Sequence, residues 1–356
     1  MSAARRWGLP LLLAWLLLAQ TTRWASPWVA WISYGLFAAL VTTWLLRVPW
    51  PRAITAWIAA PLSPMMAAAV ISALASGGDW LHVLDLAMYA TILAYFLDQR
   101  PDLDDAAIIL GWWIVAICLL EWGYLVRVEG GGRVHLLGNS NVIAALLAII
   151  LPIGWARITG RRRWIWAALG LVALYSTGSR AGVLGLGFYV LARKRARWWV
   201  WLGLGLAAVA ALFFVRIDQS TERVVIWRQA LYWFQHYPLL GMGPGKFFFF
   251  MLVARQFSVA DWQFYVGHVH AHNLILTWLA ETGLVGLVGM AGTLYLATKS
   301  RIEHADLSPL AAIAPFFIVD DQTTYWLVAL LTLYVLSKIL NPYKFCLAFR
   351  SKEVLQ

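Results

Sequence analysis

The stretch GNSNVIAALLAIILPIGWARITGRRR, residues 138–163, indicates the fold class of the chain. It joins a continuous apolar run to four arginines between 157 and 163. Runs of about 17 to 25 mainly apolar residues are long enough to cross a hydrocarbon core of about 30 Å. Positive charge beside such a run marks its cytoplasmic end. The stretch therefore predicts a transmembrane helix with a cytoplasmic arginine end.

The composition of the whole chain extends this prediction to all 356 residues. Hydrophobic residues make up 62% and charged residues 13%, against roughly 45–50% and about 25% in soluble domains. The net charge of +11 lies in short clusters between apolar runs, which is typical of topology signals and argues against nucleic-acid binding. Cys118 and Cys346 fall at different depths, so no disulfide is expected. Residues 1–356 are predicted to form a single integral membrane domain.

Apolar runs recur along the chain and predict an all-α polytopic membrane protein with about twelve spans. The expected spans are 7–20, 27–46, 53–76, 81–98, 106–126, 138–156, 164–177, 180–193, 198–215, 272–298, 306–320 and 322–340. Alternate connections carry most of the Arg and Lys, so both termini are predicted to be cytoplasmic. The connection DQRPDLDD, residues 98–105, should also be cytoplasmic although it is acidic. The first run is expected to be a retained helix rather than a cleaved signal peptide.

The long connection between spans nine and ten, residues 216–271, is predicted to be an outer loop. Its segment STERVVIWRQALYWFQHYP, residues 220–238, predicts an amphipathic helix lying on the membrane surface. Ser220 is the expected N-cap, and the helix is expected to end at Tyr237–Pro238. The predicted apolar stripe consists of Val224, Trp227, Leu231 and Phe234. The next segment, LLGMGPGKFFFF, predicts a tight turn followed by an interfacial anchor.

Polar residues that share a depth in a membrane are candidates for function, because burying them there is costly. By the predicted topology they gather at the outer side: GNSN with Asn141, TGSR with Arg180, the loop arginines Arg223 and Arg228, the histidines His268, His270 and His272, and the pair Asp320 and Asp321. An arginine at this depth either snorkels to the interface or binds an anion such as phosphate through its planar guanidinium. In the outer loop, a solvated surface charge is the alternative.

Three interpretations of the histidine cluster remain open. In an extended backbone the alternate histidines point the same way and could form a metal site, but neither a cysteine nor a well-placed carboxylate accompanies them. A structural role at the interface is the second. The third, an acid/base role, is favoured because histidine titrates near neutral pH.

The spacing after the histidines supports the acid/base interpretation. On one continuous helix, His272 and Gly283 fall within about 20° of each other. Gly286 lies near that face, which predicts a stripe without side chains where a helix or a lipid chain approaches closely. Glu281 lies on another face and is expected to pair with a polar group.

Four motifs together resemble the O-antigen ligase / O-antigen polymerase superfamily over about residues 136–290. They are GNSNVIAALLAIILP, STGSRAGVL with its Arg180-x-x-x-Leu184 step, RVVIWRQAL…HYPLLGMGPGKF, and HAHNLILTWLAETGLVGLVG with its His272-x10-Gly283 spacing. The chain departs from the family pattern in a modest outer loop, in the serine of GNSN where proline is common, and in the additional His268.

The resemblance implies a GT-C-type glycosyltransferase in the bacterial inner membrane, with its active site at the outer face and without metal or cofactor. The donor would be a glycan on undecaprenyl diphosphate, and the acceptor a lipid A core sugar or, in a polymerase, a second glycan. Arg180 and Arg223, with Arg228 as the competitor of Arg223, would bind the diphosphate, and His272 would be the catalytic base. His270, Asn273, Gly283, Asn141 and Glu281 would support the site. A lipid-glycan flippase or an anion transporter is the remote alternative, although no repeated halves are visible.

Overall fold

A computed structural model describes residues 61–99, 102–134, 140–193, 217–247, 273–300, 308–319 and 326–340, with a few isolated positions between 35 and 48. Ten helices are defined there: α1 Ser63–Ser76, α2 Trp80–Gln99, α3 Asp104–Val128, α4 Ser140–Arg157, α5 Gly160–Ser176, α6 Arg180–Arg193, α7 Ile217–His236, α8 Leu274–Ser300, α9 Ser308–Val319 and α10 Trp326–Ile339. Within these residues the elements are all helices, as the all-α prediction requires.

The helix bounds follow most of the predicted spans closely, but α1 begins only at Ser63, after a turn at residues 61–62 that lies within the predicted span 53–76. Three of the described helices are long and apolar enough to cross a membrane: Asp104–Val128, Ser140–Arg157 and the part of α8 from Leu274 to Ala297. α1 is apolar but shorter. The spans 7–20 and 198–215 lie outside the described residues, so the count of about twelve spans stays a prediction.

α4 forms the centre of the core. Its residues from Val142 to Gly154 are all buried, and it packs against α3, α5, α6, α9 and α10. Because this helix is apolar on every side, other helices can enclose it completely without burying polar groups of its side chains. Trp166 of α5 is also fully buried, and its indole N–H donates to the Leu151 carbonyl at 3.2 Å.

Short turns reverse the chain between successive helices, so the helix termini gather at two ends of the bundle. One end, here named the Arg180 end, contains the turns 77–79 and 177–179 and the loop 129–134. Ser72 of α1 donates to the Glu281 carbonyl of α8, while Gly289 of α8 lies against Pro64 near the start of α1. These contacts place the beginning of α8 at the Arg180 end as well.

The opposite end of the bundle, here named the Asp104 end, contains the acidic connection 98–105. Its carboxylates are paired there with basic side chains. The Asp104 carboxylate accepts hydrogen bonds from the Tyr334 hydroxyl at 2.8 Å and from Lys338 Nζ at 2.5 Å. Arg157 pairs with both Asp104 and Asp102. The acidic residues therefore lie among basic residues from the ends of α4 and α10. This is the end of the bundle that also carries the four arginines between 157 and 163.

Candidate functional site

The turn before α6 holds Arg180 in a fixed position. Gly178 adopts a φ of 61°, which a glycine accepts without strain. The Thr177 hydroxyl accepts a hydrogen bond from the Ser179 N–H at 3.2 Å. The Ser179 hydroxyl in turn accepts from the Gly182 N–H at 3.4 Å, in the position of a helix N-cap. Arg180 is the first residue of α6, and its side chain is exposed.

The structure brings Asn141 to the same turn. The Ser179 hydroxyl donates to Asn141 Oδ1 at 2.9 Å, across 38 residues of sequence. Gly185, one turn and a half further along α6, lies so close to the Ala312 carbonyl that a Cβ there would be 2.3 Å from it. The beginnings of α4 and α6 are thus joined, and two of the predicted site residues, Asn141 and Arg180, lie near each other.

A second arginine, Arg133, lies beside this turn and was not among the predicted site residues. The chain bends after α3 through Gly130 and Gly131, with φ values of 73° and 135°. The Val134 N–H then donates to the Ser176 carbonyl at 3.1 Å. The Arg133 side chain lies over Gly178, where an added Cβ would be 2.9 Å from its Nε. In the sequence, the run of glycines before Arg133 is the feature that could have indicated a tight bend at this position.

α8 is broken at Gly283, which has a φ of 63° and a ψ of −152°. The helix begins after Asn273, whose side-chain oxygen accepts from the Leu276 N–H at 3.0 Å, in the manner of an N-cap. The prediction of one continuous helical face from His272 to Gly283 is therefore wrong. The helix starts later than residue 272, and Gly283 itself is not helical.

The segment from Pro238 to Phe247, here named the glycine turn, fills the break in α8. Four main-chain hydrogen bonds of 2.9–3.1 Å join them: Met242 N–H to the Ala280 carbonyl, Gly243 N–H to Glu281, Leu284 N–H to Pro238 and Val285 N–H to Leu239. A Cβ on Gly283 would lie 2.6 Å from the Leu239 carbonyl oxygen. The close approach predicted at Gly283 is therefore present, but the backbone of the glycine turn makes it, where a helix or a lipid chain was expected.

Glu281 ties the glycine turn to α8. It is buried, and its carboxylate accepts from the Phe247 N–H at 3.2 Å. On the other side, α1 holds the turn through the Ser76 hydroxyl, which donates to the Gly241 carbonyl at 3.0 Å, and through Lys246, which donates to the Ser76 carbonyl. Three distant segments of the chain therefore fix the point at which the chain enters residues 248–272.

A helix, α7, lies where the loop helix is predicted, but its details differ from the prediction. The helix ends at His236, as predicted, but begins at Ile217, so Ser220 lies within it and is not the N-cap. Its buried face is formed by Ile226 and Ala230, which pack with Ala280 of α8. Leu231 of the predicted stripe is 43% exposed. Two apolar stripes run along this helix, and the sequence did not show which one is buried.

Of the loop arginines, Arg228 is exposed on α7, and Arg223 lies within the helix three residues before Ile226. The histidines at 268, 270 and 272 lie outside the described residues, as do Asp320 and Asp321. Among the residues that are described, no group of three His, Cys, Asp or Glu side chains is arranged to hold a metal ion.

Comparison with known protein families gives a match over part of the chain. Residues 165–291 match the family model of O-antigen ligase. The match includes the Arg180 turn, α7, the glycine turn and the break in α8. None of the curated proteins matches the chain.

Proposed function

Because residues 165–291 match the family model of O-antigen ligase, we propose that the chain is an inner-membrane glycosyltransferase acting on lipid-linked glycans. The glycan moves from undecaprenyl diphosphate to an acceptor hydroxyl, preferably on a lipid A core sugar. The observation that carries the proposal is the family match across a segment in which Arg180 is exposed at a fixed turn.

The arginines bind the diphosphate of the donor. Arg180 starts α6, where helix N–H groups and the helix dipole also favour an anion. A guanidinium presents a planar fork that matches phosphate oxygens. Arg223 is proposed as the second ligand rather than Arg228. It precedes Ala230 by seven residues, so helical periodicity places the two positions on one face of α7, the face that packs against α8.

His272 is the proposed general base. It directly precedes Asn273, the N-cap of α8, and His270 lies two residues before it in the sequence. His272 takes the proton of the acceptor hydroxyl while the hydroxyl oxygen attacks C1 of the donor sugar. The bond between C1 and the phosphate oxygen breaks, and undecaprenyl diphosphate leaves with the electron pair. The arginines stabilise the negative charge that develops on this leaving group.

Glu281 and Gly283 support this chemistry indirectly. They anchor the glycine turn, and through it the start of the segment that leads to His272. We propose that the reaction needs no metal ion or cofactor, since the arginines neutralise the diphosphate.

Transfer by the purified protein tests the proposal. The protein is given an undecaprenyl-diphosphate-linked glycan, with and without lipid A core, and each mixture is run both without and with a chelator. Product that forms only with the core supports a metal-independent ligase. A ladder of longer lipid-linked glycans without the core identifies a repeat-unit polymerase, the second candidate within the family. Absence of transfer in every mixture rejects a glycosyltransferase, and transfer that stops on adding chelator rejects metal independence.

A further inference from the structure

We infer that Arg133 is a further diphosphate-binding side chain, which forms a clamp with Arg180 across the Arg180 turn. The inference rests on the proposed function and names a residue outside both the four motifs and the matched segment 165–291. The clamp joins two parts of the chain that are distant in sequence, the loop after α3 and the turn between α5 and α6.

The backbone holds Arg133 against the turn. The hydrogen bond from the Val134 N–H to the Ser176 carbonyl, 3.1 Å long, attaches the loop to the end of α5. Val134 is buried and anchors the residue directly after the arginine. The Arg133 side chain lies against Gly178: an added Cβ there would be 2.9 Å from its Nε, so the arginine would have to shift.

The two arginines are near enough to share one ligand. Two extended residues span at most about 7 Å, so the α-carbon of Arg180 lies within about that distance of Gly178, the residue that Arg133 covers. Both side chains are exposed. A diphosphate presents several oxygens, so two guanidinium groups that approach from different segments can each take a separate set.

The charge balance also favours an anion here. Within the described part of the chain, neither Arg133 nor Arg180 forms an ion pair with a carboxylate. The nearest acidic residue in the sequence, Glu129, ends α3 and is exposed. Two neighbouring positive charges disfavour each other, and a bound diphosphate removes that repulsion. An ion pair with a protein carboxylate would have competed with such a ligand.

The test is a binding measurement that needs no transfer reaction. Purified protein in detergent is titrated with undecaprenyl diphosphate and, separately, with undecaprenyl monophosphate. Arg133→Gln should weaken diphosphate binding by about 10-fold or more, the value of a charged hydrogen bond, and monophosphate binding much less. Arg133→Lys should retain part of the lost affinity. Arg127→Gln is the matched control, because Arg127 is also exposed and lies in the last turn of α3.

The outcomes separate this inference from the proposed function. Wild-type protein that binds neither lipid rejects the proposed donor and the clamp together. Wild-type protein that binds the diphosphate while Arg133→Gln binds it as tightly as Arg127→Gln does rejects the clamp alone. An equal loss for the diphosphate and the monophosphate also rejects it, because Arg133 would then act on the lipid chain or the fold. Thermal unfolding of each variant identifies a loss of binding caused by misfolding.

Discussion

A methyl group at Gly283 is expected to displace the glycine turn from α8. Gly283→Ala places a side chain at φ 63° and ψ −152°, a conformation that costs other residues about 1–3 kcal/mol. The new Cβ would lie 2.6 Å from the Leu239 carbonyl, so the hydrogen bonds from Leu284 and Val285 to the turn must lengthen or break. Each contributes about 0.5–1.5 kcal/mol. We therefore expect a total destabilisation of about 2–6 kcal/mol.

Unfolding of the purified protein in detergent, followed by tryptophan fluorescence, measures this change. Gly187→Ala is the matched control. Gly187 lies inside helix α6, and no atom lies within 4 Å of an added Cβ, so alanine there should be neutral or stabilising by up to about 1 kcal/mol. If Gly283→Ala and Gly187→Ala unfold alike, the glycine turn is not seated on the break in α8 and the reasoning is refuted.

Three further predictions concern transfer activity or the free energy of unfolding. Arg180→Lys should severely reduce transfer without loss of thermal stability, because a point charge does not replace a planar fork; normal transfer would contradict this. Asp104→Asn should lower stability by about 1–3 kcal/mol, since it weakens the pairing with the Tyr334 hydroxyl and removes a charge partner; unchanged unfolding would mean that this cluster contributes little. Ile226→Ala should cost about 2–4 kcal/mol, and Leu231→Ala less than about 1, in the same unfolding assay; the reverse order would place the other stripe of α7 in the core.

Much of the helical architecture followed from local sequence. Spans such as 106–126 and 138–156 are apolar over a membrane thickness and have charged ends, so their bounds depend on nearby residues alone. The turn at TGSR was also predictable from local sequence, since Gly178 and the flanking hydroxyl residues favour a tight reversal of the chain. The family resemblance used four motifs in order, and the match to the O-antigen ligase model at 165–291 supports the resemblance and covers the last three of them.

The features that the sequence did not predict depend on contacts between distant segments. Gly283 lies in an apolar run that predicts a continuous helix, and its break exists because the backbone near Leu239 takes the place of a side chain. The buried stripe of α7 is chosen by its packing on α8. Arg133 is in a loop without periodicity, and its position depends on a hydrogen bond to Ser176. The spacing of residues within one segment does not show which distant segment that segment will contact.

The most direct test of the central claim is glycan transfer by His272→Ala, measured beside the wild-type protein and His236→Ala. His236 is another histidine of the segment 216–271, but its ring bonds to the Tyr232 carbonyl within α7. With donor and acceptor supplied, we expect His272→Ala to give no product while it unfolds at the wild-type temperature, and His236→Ala to keep transfer. A folded His272→Ala protein that still transfers glycan would contradict the proposed mechanism.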